Sequence, residues 1–209
     1  MKFYDCGTAP SPRRVRMFMA EKGITLDTVE VDLAKGEQLT DAFSAINPHC
    51  TVPALELDDG TVLLDSNSIC LYLDEVFPGP RLTGETPKER AVIAMWQRDL
   101  DLNGLGAVAE CFRNSAKGLR NRALTGPVDY AQIPELAERG RLRVRQFFAD
   151  LDRRLGESQY IAGDHFTVAD ITAFISVEFA RAIKETVPEG AVNLRRWHEA
   201  VASRPSARV

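Results

Sequence analysis

The stretch Ala54–Phe77, "ALELDDGTVLLDSNSICLYLDEVF", changes its period in the middle. In the first half, "ALEL" and "TVLL" flank "DDG" at Asp58–Gly60, the short-range mark of an antiparallel hairpin. In the second half, Ile69, Leu71, Tyr72, Leu73 and Val76 recur at mostly helical spacing and Pro78 follows, so a helix is expected to end there. Two paired strands followed by a helix form the closing part of a small sheet.

Upstream, two periods alternate. "KFYDC", Lys2–Cys6, is a short β-prone run. From Arg13 the apolar residues Val15, Phe18 and Met19 fall at i, i+3 and i+4, and the stripe stops at Gly23, a natural residue just past a helix end. "TVEVDL" sets Val29, Val31 and Leu33 between polar residues and reads as a second strand. A polar helical stretch from Glu37 to Ile46 then runs into Asn47-Pro48, which stops it. The order is βαβαββα. A βαβ unit with a hairpin and a helix after it predicts a mixed sheet with its antiparallel part at one end.

Downstream, "PGPRLTGETPKER", Pro78–Arg90, is the segment richest in Pro, Gly and Thr and reads as a linker. Beyond it the strand signal disappears, and helices are expected over 88–115, 134–156, 167–184 and 194–203. The expected organisation is therefore a mixed α/β domain at 1–78, a linker at 79–87 and an all-helical domain at 88–209. One helix start is sharply marked: in "GDHFTVADI", Thr167 stands three residues before Asp170 as a capping box, with Phe166 and Ile171 as a hydrophobic staple.

Composition excludes several functions. The net charge of -4 over 209 residues does not favour nucleic acid or an anionic membrane as partner. Two basic runs, Arg13–Arg16 and Arg139–Arg145, read as solvated helix faces. No apolar run approaches the ~20 residues of a membrane span, the N-terminus has no secretory signal core, and a cytoplasmic location is expected. Cys6, Cys50, Cys70 and Cys111 have no paired spacing and His49, His165 and His198 are far apart, so reduced thiols and no metal are expected.

A βαβαββα domain followed by an all-helical one resembles the cytosolic glutathione transferase family, of its Ser/Cys type and bacterial-like. Four pieces in order carry the resemblance: "TAPSPRRVRMFMAEKGI" at Thr8–Ile24, "NPHCTVPAL" at Asn47–Leu55, "DSNSICLYL" at Asp65–Leu73 and "GDHFTVADI" at Gly163–Ile171. It implies a thioredoxin-like first domain, a helical bundle as the second, glutathione as co-substrate, a small hydrophobic electrophile as second substrate and a homodimer, with detoxification as the broad role. It also implies that Val52-Pro53 is cis and that the Val52 backbone pairs with the cysteinyl part of glutathione. Asp65 would take the γ-glutamyl ammonium and Ser66 its carboxylate, using physics that equally describes a plain helix cap. His49 or Lys35 would hold the glycyl carboxylate.

The thiol activator is less direct. Ser11 before Pro12 is a good helix start, and a helix N-terminus is also where a thiolate is stabilised. Where several classes of the family carry an active Cys or Ser, this chain has Ala9. The candidates are then Ser11, Thr8 and Tyr4, or no side chain at all. Met95, Asp99, Asn103, Ala107, Cys111 and Phe112 are candidates for the second substrate, or else core or dimer contacts. A transferase is the first reading; a glutathione-dependent isomerase, dehalogenase or peroxidase is the second, and a non-catalytic binding module the third.

Overall fold

Strand β1 (Lys2–Asp5) is the centre from which the first unit is built. In the computed structural model, which describes residues 1–209, it is followed by α1 (Pro10–Lys22), β2 (Asp27–Glu30), α2 (Asp41–Ser44), β3 (Ala54–Glu56), β4 (Val62–Leu63) and α3 (Ser66–Val76). The sheet order is β2-β1-β3-β4. β2 runs parallel to β1, β3 is antiparallel to β1 with Tyr4 opposite Ala54, and β4 completes the hairpin with Leu63 opposite Leu55.

Alternation along β1 divides the core. Tyr4 packs with Val31, Phe43 and Ala54 on one face, while Phe3 and its cross-strand partner Leu55 turn to the other and are buried. α3 packs on β3 and on α1, whose Val15 and Phe18 are as fully buried as Ile69 and Leu73 of α3. Lys22, at the end of α1, joins Asp74 of α3 at 2.7 Å with both side chains wholly buried, and also donates to the Pro80 carbonyl.

Four local expectations are corrected. α1 begins at Pro10 with Ala9 as its cap residue, so Ser11 is inside the helix and Pro10, not Pro12, takes the first helical position. The stretch from Glu37 is not one helix; a 3-10 turn at Glu37–Leu39 ends at Thr40, whose hydroxyl accepts from the Phe43 N–H to start α2. The strand expected over "TVEVDL" stops at Glu30, with all four residues exposed at the sheet edge. The first basic run is not a solvated face either, since Arg14 is buried and donates to Asn67, while Arg16 pairs with Asp5.

The second unit comprises Arg81–Ala123 and Tyr130–Arg208; the first comprises Met1–Pro80, Leu124–Asp129 and Val209. Residues 124–129, which the sequence reading assigns to the helical domain, thus group with the sheet. The helices are α4 (Pro87–Asp99), α5 (Gly106–Ser115), α6 (Pro134–Glu157), α7 (Val168–Phe179) and α8 (Val192–Ala202). A π-helical segment, Leu100–Leu105, makes α4 and α5 one continuous rod. Gly140 lets α6 approach α5 closely, because a Cβ there would lie 2.6 Å from the Cys111 backbone nitrogen. The second basic run of α6 is used in ion pairs: Arg139 and Arg143 with Glu110, Arg141 and Arg145 with Glu185.

The capping box at Thr167 is present as read, and Thr86 and Glu89 form a second one that begins α4. Asp170 does more than cap. It is fully buried and accepts from the Thr167 N–H (3.0 Å), the Ile161 N–H (3.0 Å) and the Trp197 indole (2.9 Å). It therefore ties the loop before α7 to α8.

Candidate functional site

The site candidates gather at one end of the sheet because of its register. β1 and β2 are parallel, so their carboxyl ends point the same way, and antiparallel β3 enters from that end. The β1–α1 loop, the turn after β2 and the Val52-Pro53 bond, which is cis, therefore share one edge. Val52 precedes β3 and is half-buried, so its N–H and C=O stand outside the sheet ladder.

Two helix N-termini meet there. The Ser66 hydroxyl at the start of α3 donates to the Ser11 carbonyl at 3.1 Å. Nearby, Arg14 donates to the Asn67 side chain at 2.6 Å, a second link between α1 and α3. The Asp65 carboxylate caps α3, accepting from the N–H groups of Asn67 (2.9 Å) and Ser68 (3.0 Å) and from the Ser68 hydroxyl. A carboxylate offers about four lone-pair sites, and Asp65 is exposed, so it retains capacity for an ammonium group.

The N-terminus of α1 is stripped of donors by its sequence. Pro10 and Pro12 have no N–H, so among the first three helical residues only Ser11 carries one. The Ser11 hydroxyl is half-buried and bonds to no group of the chain. Thr8 is exposed, with its hydroxyl 3.5 Å from the Cys6 sulfur. Ala9 donates its N–H to the Cys6 carbonyl and places no side chain in the turn.

Tyr4 is engaged on the sheet face. It is buried on the sheet face, donates to Glu56 at 2.8 Å and packs edge-on against Phe43. Burial first, and then the neighbouring carboxylate, push its phenol up to about 12. It is a committed donor held in its neutral form, the reverse of an acidified hydroxyl.

His49 and Lys35 differ in availability. Lys35 pairs with Asp32 at 2.9 Å, and that bond raises the ammonium pKa while lowering that of the carboxylate. His49 is exposed and its loop is ordered by Asn47, which is wholly buried. The Asn47 side chain donates to the Thr51 carbonyl (2.7 Å) and accepts the His49 N–H (2.9 Å), while its carbonyl accepts the Cys50 N–H. Cys50 is buried with φ of 52°.

Sequence reasoning missed the supports beneath this edge. Asp5, buried at the end of β1, accepts from the Cys6 N–H at 2.7 Å and from Arg16 at 2.5 Å; Arg16 in turn donates to the Cys6 and Gly7 carbonyls. Glu30 accepts the Gly7 N–H. The available signal was an acidic residue closing an apolar strand, which needs a cation if it is buried. No group of His, Cys, Asp or Glu comes together to hold a metal ion.

In the helical unit, Ala107 and Cys111 are fully buried and are core residues, and Phe112 stacks edge-on with Phe179. Met95, Asp99 and Asn103 instead line a groove of about 450 Å³ against α6, where Phe147 and Leu151 form apolar lining and Arg154 lies over Trp96. Of the six second-substrate candidates, two are core residues, three line the groove, and Phe112 is half-buried against Phe179.

Comparison with known proteins finds two family models. Residues 8–76 match the glutathione S-transferase N-terminal domain and residues 134–200 the C-terminal domain. The chain is similar to Glutathione S-transferase 2 of Saccharomyces cerevisiae, 37% identical over 100% of this chain and 88% of that protein. Among solved structures, a glutathione S-transferase domain-containing protein of Marinobacter aquaeolei is 43% identical, with a TM-score of 0.91 over 99% of both chains. The mouse maleylacetoacetate isomerase is 29% identical over 82% of this chain and 74% of its own.

Proposed function

Because the chain belongs to the glutathione S-transferase family, we propose that it joins the thiol of glutathione to a small hydrophobic electrophile at the sheet edge described above. One observation carries the reading: the Ser66 hydroxyl bonded to the Ser11 carbonyl sets the two helix N-termini side by side. Both present positive dipole ends, and glutathione brings a carboxylate to one and a sulfur to the other.

Each residue has a role in this reading. The Val52 N–H and C=O, which precede β3 and stand outside the ladder, pair with the cysteinyl backbone. Asp65 takes the γ-glutamyl ammonium. The Ser66 hydroxyl already donates its hydrogen bond to the Ser11 carbonyl, so its N–H at the head of α3 is the donor left for the γ-glutamyl carboxylate. His49 faces the glycyl carboxylate; Lys35, held by Asp32, is the lesser candidate. Ser11, through its N–H and hydroxyl, and Thr8 donate to the sulfur and lower its pKa.

The chemistry then balances simply. The thiol proton leaves to solvent, the sulfur lone pair forms a C–S bond, and the leaving group departs with its electron pair or a π pair moves onto an acceptor atom and is protonated. The same thiolate, adding to a conjugated double bond and leaving it again, would isomerise the bond, a reading favoured by the name of the mouse relative. Transfer consumes glutathione and isomerisation does not, so thiol loss during turnover separates the two.

A two-fold homodimer in the cytoplasm completes the proposal. It is supported by the free state of all four cysteines and by exposed Leu71 and Val76 on α3 and Met95 and Leu102 on the helical rod. No helix is long and apolar enough to cross a membrane. The test of the site is calorimetric binding of glutathione to wild type and Asp65→Asn. Asn still caps α3 but carries no charge, so affinity should fall about fivefold, or ~1 kcal/mol; unchanged affinity would contradict the assignment.

A further inference from the structure

The turn Leu124–Asp129 lies far along the chain from the sheet yet belongs to the first unit. It is the tip of a small excursion between α5 and α6. The stem is closed by backbone bonds from Ala123 to the Tyr130 carbonyl (3.1 Å) and from Tyr130 to the Asn121 carbonyl (3.0 Å). At the tip, Gly126 is buried with φ of 107°, a region that side-chain-bearing residues rarely adopt, and a Cβ on it would sit 3.6 Å from the His49 carbonyl oxygen.

The backbone of Gly126 thus packs on the His49–Cys50 segment, three residues before Val52. Asn47 organises that segment from beneath through its amide. The family model for the N-terminal domain ends at residue 76, so nothing in that match includes the turn.

We propose that the Leu124–Asp129 turn is a brace for the glycyl end of the glutathione site, with Gly126 as a positioning residue that holds the His49 loop in its binding shape. The proposal rests on the reading that glutathione lies along Val52 with its glycyl carboxylate at His49. Glycine is required because the tip must turn left-handed where it packs on the loop. When the brace is strained, the loop spends less time in the competent shape, and apparent affinity falls by that fraction. The γ-glutamyl and cysteinyl contacts, made at Asp65, Ser66 and Val52, do not depend on it.

The test compares binding of glutathione with binding of γ-glutamylcysteine, which lacks the glycyl residue, to wild type, Gly126→Ala and the more severe Gly126→Val. A fall of the competent fraction to about one fifth weakens glutathione about fivefold and leaves γ-glutamylcysteine within twofold. Equal loss for both ligands, or loss for neither, overturns the proposal. Hydrogen exchange at the His49 and Cys50 amides is expected to speed up in Gly126→Ala, which is the gentler change; unaltered protection also overturns it. The wild-type arm is separate: failure of wild type to bind glutathione would count against the proposed function itself.

Discussion

Asp170→Ala removes the acceptor at the centre of the helical unit. Four buried donors lose their partner: the Thr167 and Ile161 N–H groups, the Thr167 hydroxyl and the Trp197 indole, all 2.9–3.3 Å from the carboxylate. Each unsatisfied buried donor costs about 1–3 kcal/mol. With partial relaxation the variant should lose roughly 3–6 kcal/mol, a large part of the ~5–15 kcal/mol that holds a typical domain.

The loss should also depend on pH. Burial raises the Asp170 carboxyl to about 6 against the bonds that lower it, from the ordinary 3.8. A folded-state pKa above the unfolded one means that the folded state binds the proton more tightly. This group's stabilisation is therefore fully present below the unfolded value and is lost as pH rises through about 6. Between pH 7 and pH 5 the wild type should gain ~1.3 kcal/mol that the variant does not, so the gap between them widens in acid. Urea unfolding followed by tryptophan fluorescence at both pH values measures this, since Trp197 is fully buried. A loss below about 1 kcal/mol, or a gap that narrows at pH 5, would refute the reasoning.

Three further outcomes follow from burial and space. Lys22→Met leaves Asp74 without its ammonium partner in the core and should cost ~3–5 kcal/mol, whereas Lys22→Met with Asp74→Leu should recover most of it; thermal melts of both variants provide the comparison. Gly140→Ala drives a Cβ to 2.6 Å from the Cys111 nitrogen and 2.9 Å from the Ala107 carbonyl, both backbone atoms, and should cost about 1–3 kcal/mol by chemical denaturation. Tyr4→Phe should leave turnover within about twofold of wild type, since the phenol is spent on Glu56; a loss of tenfold or more would return Tyr4 to the list of activators.

Much of the fold is legible because period is a local property. The hairpin at Ala54–Leu63, the helix after it and the capping box at Thr167 each rest on residues a few positions apart. Legibility fails where a partner is distant. Asp170 reads as a cap, but its bond to Trp197 spans 27 residues. Asp5 and Arg16 read as a strand end and part of a basic run, and only folding makes them one support for the β1–α1 loop. Lys22 and Asp74, 52 residues apart, give no local sign that both will be buried.

The candidate site divides along the same line. Asp65 and Ser66 are read as a helix start from a short motif, the cis Val52-Pro53 bond is implied only by the family resemblance, and all of them stand at the sheet edge where the two helix ends meet. Ser11 is read as the start of α1 because it precedes a proline. Two prolines compete for that position, and Pro10 takes it. The outcome alters the chemistry, since a serine in the second helical position offers both its N–H and a hydroxyl free of any cap. Gly126-Pro127 marks a turn at 124–129 in the sequence, but only tertiary contact assigns it to the first unit.

The most direct measurement is the thiol pKa of bound glutathione, read from thiolate ultraviolet absorbance across a pH titration of wild type, Ser11→Ala and Thr8→Ala. A hydrogen bond to a charged group contributes about 1.5–3 kcal/mol, or roughly one to two pKa units. The bound thiol should titrate below its free value in wild type and rise by about that much in Ser11→Ala, with a smaller rise in Thr8→Ala. A bound thiol that titrates at its free value in wild type, or one that neither substitution moves, would contradict activation at the head of α1.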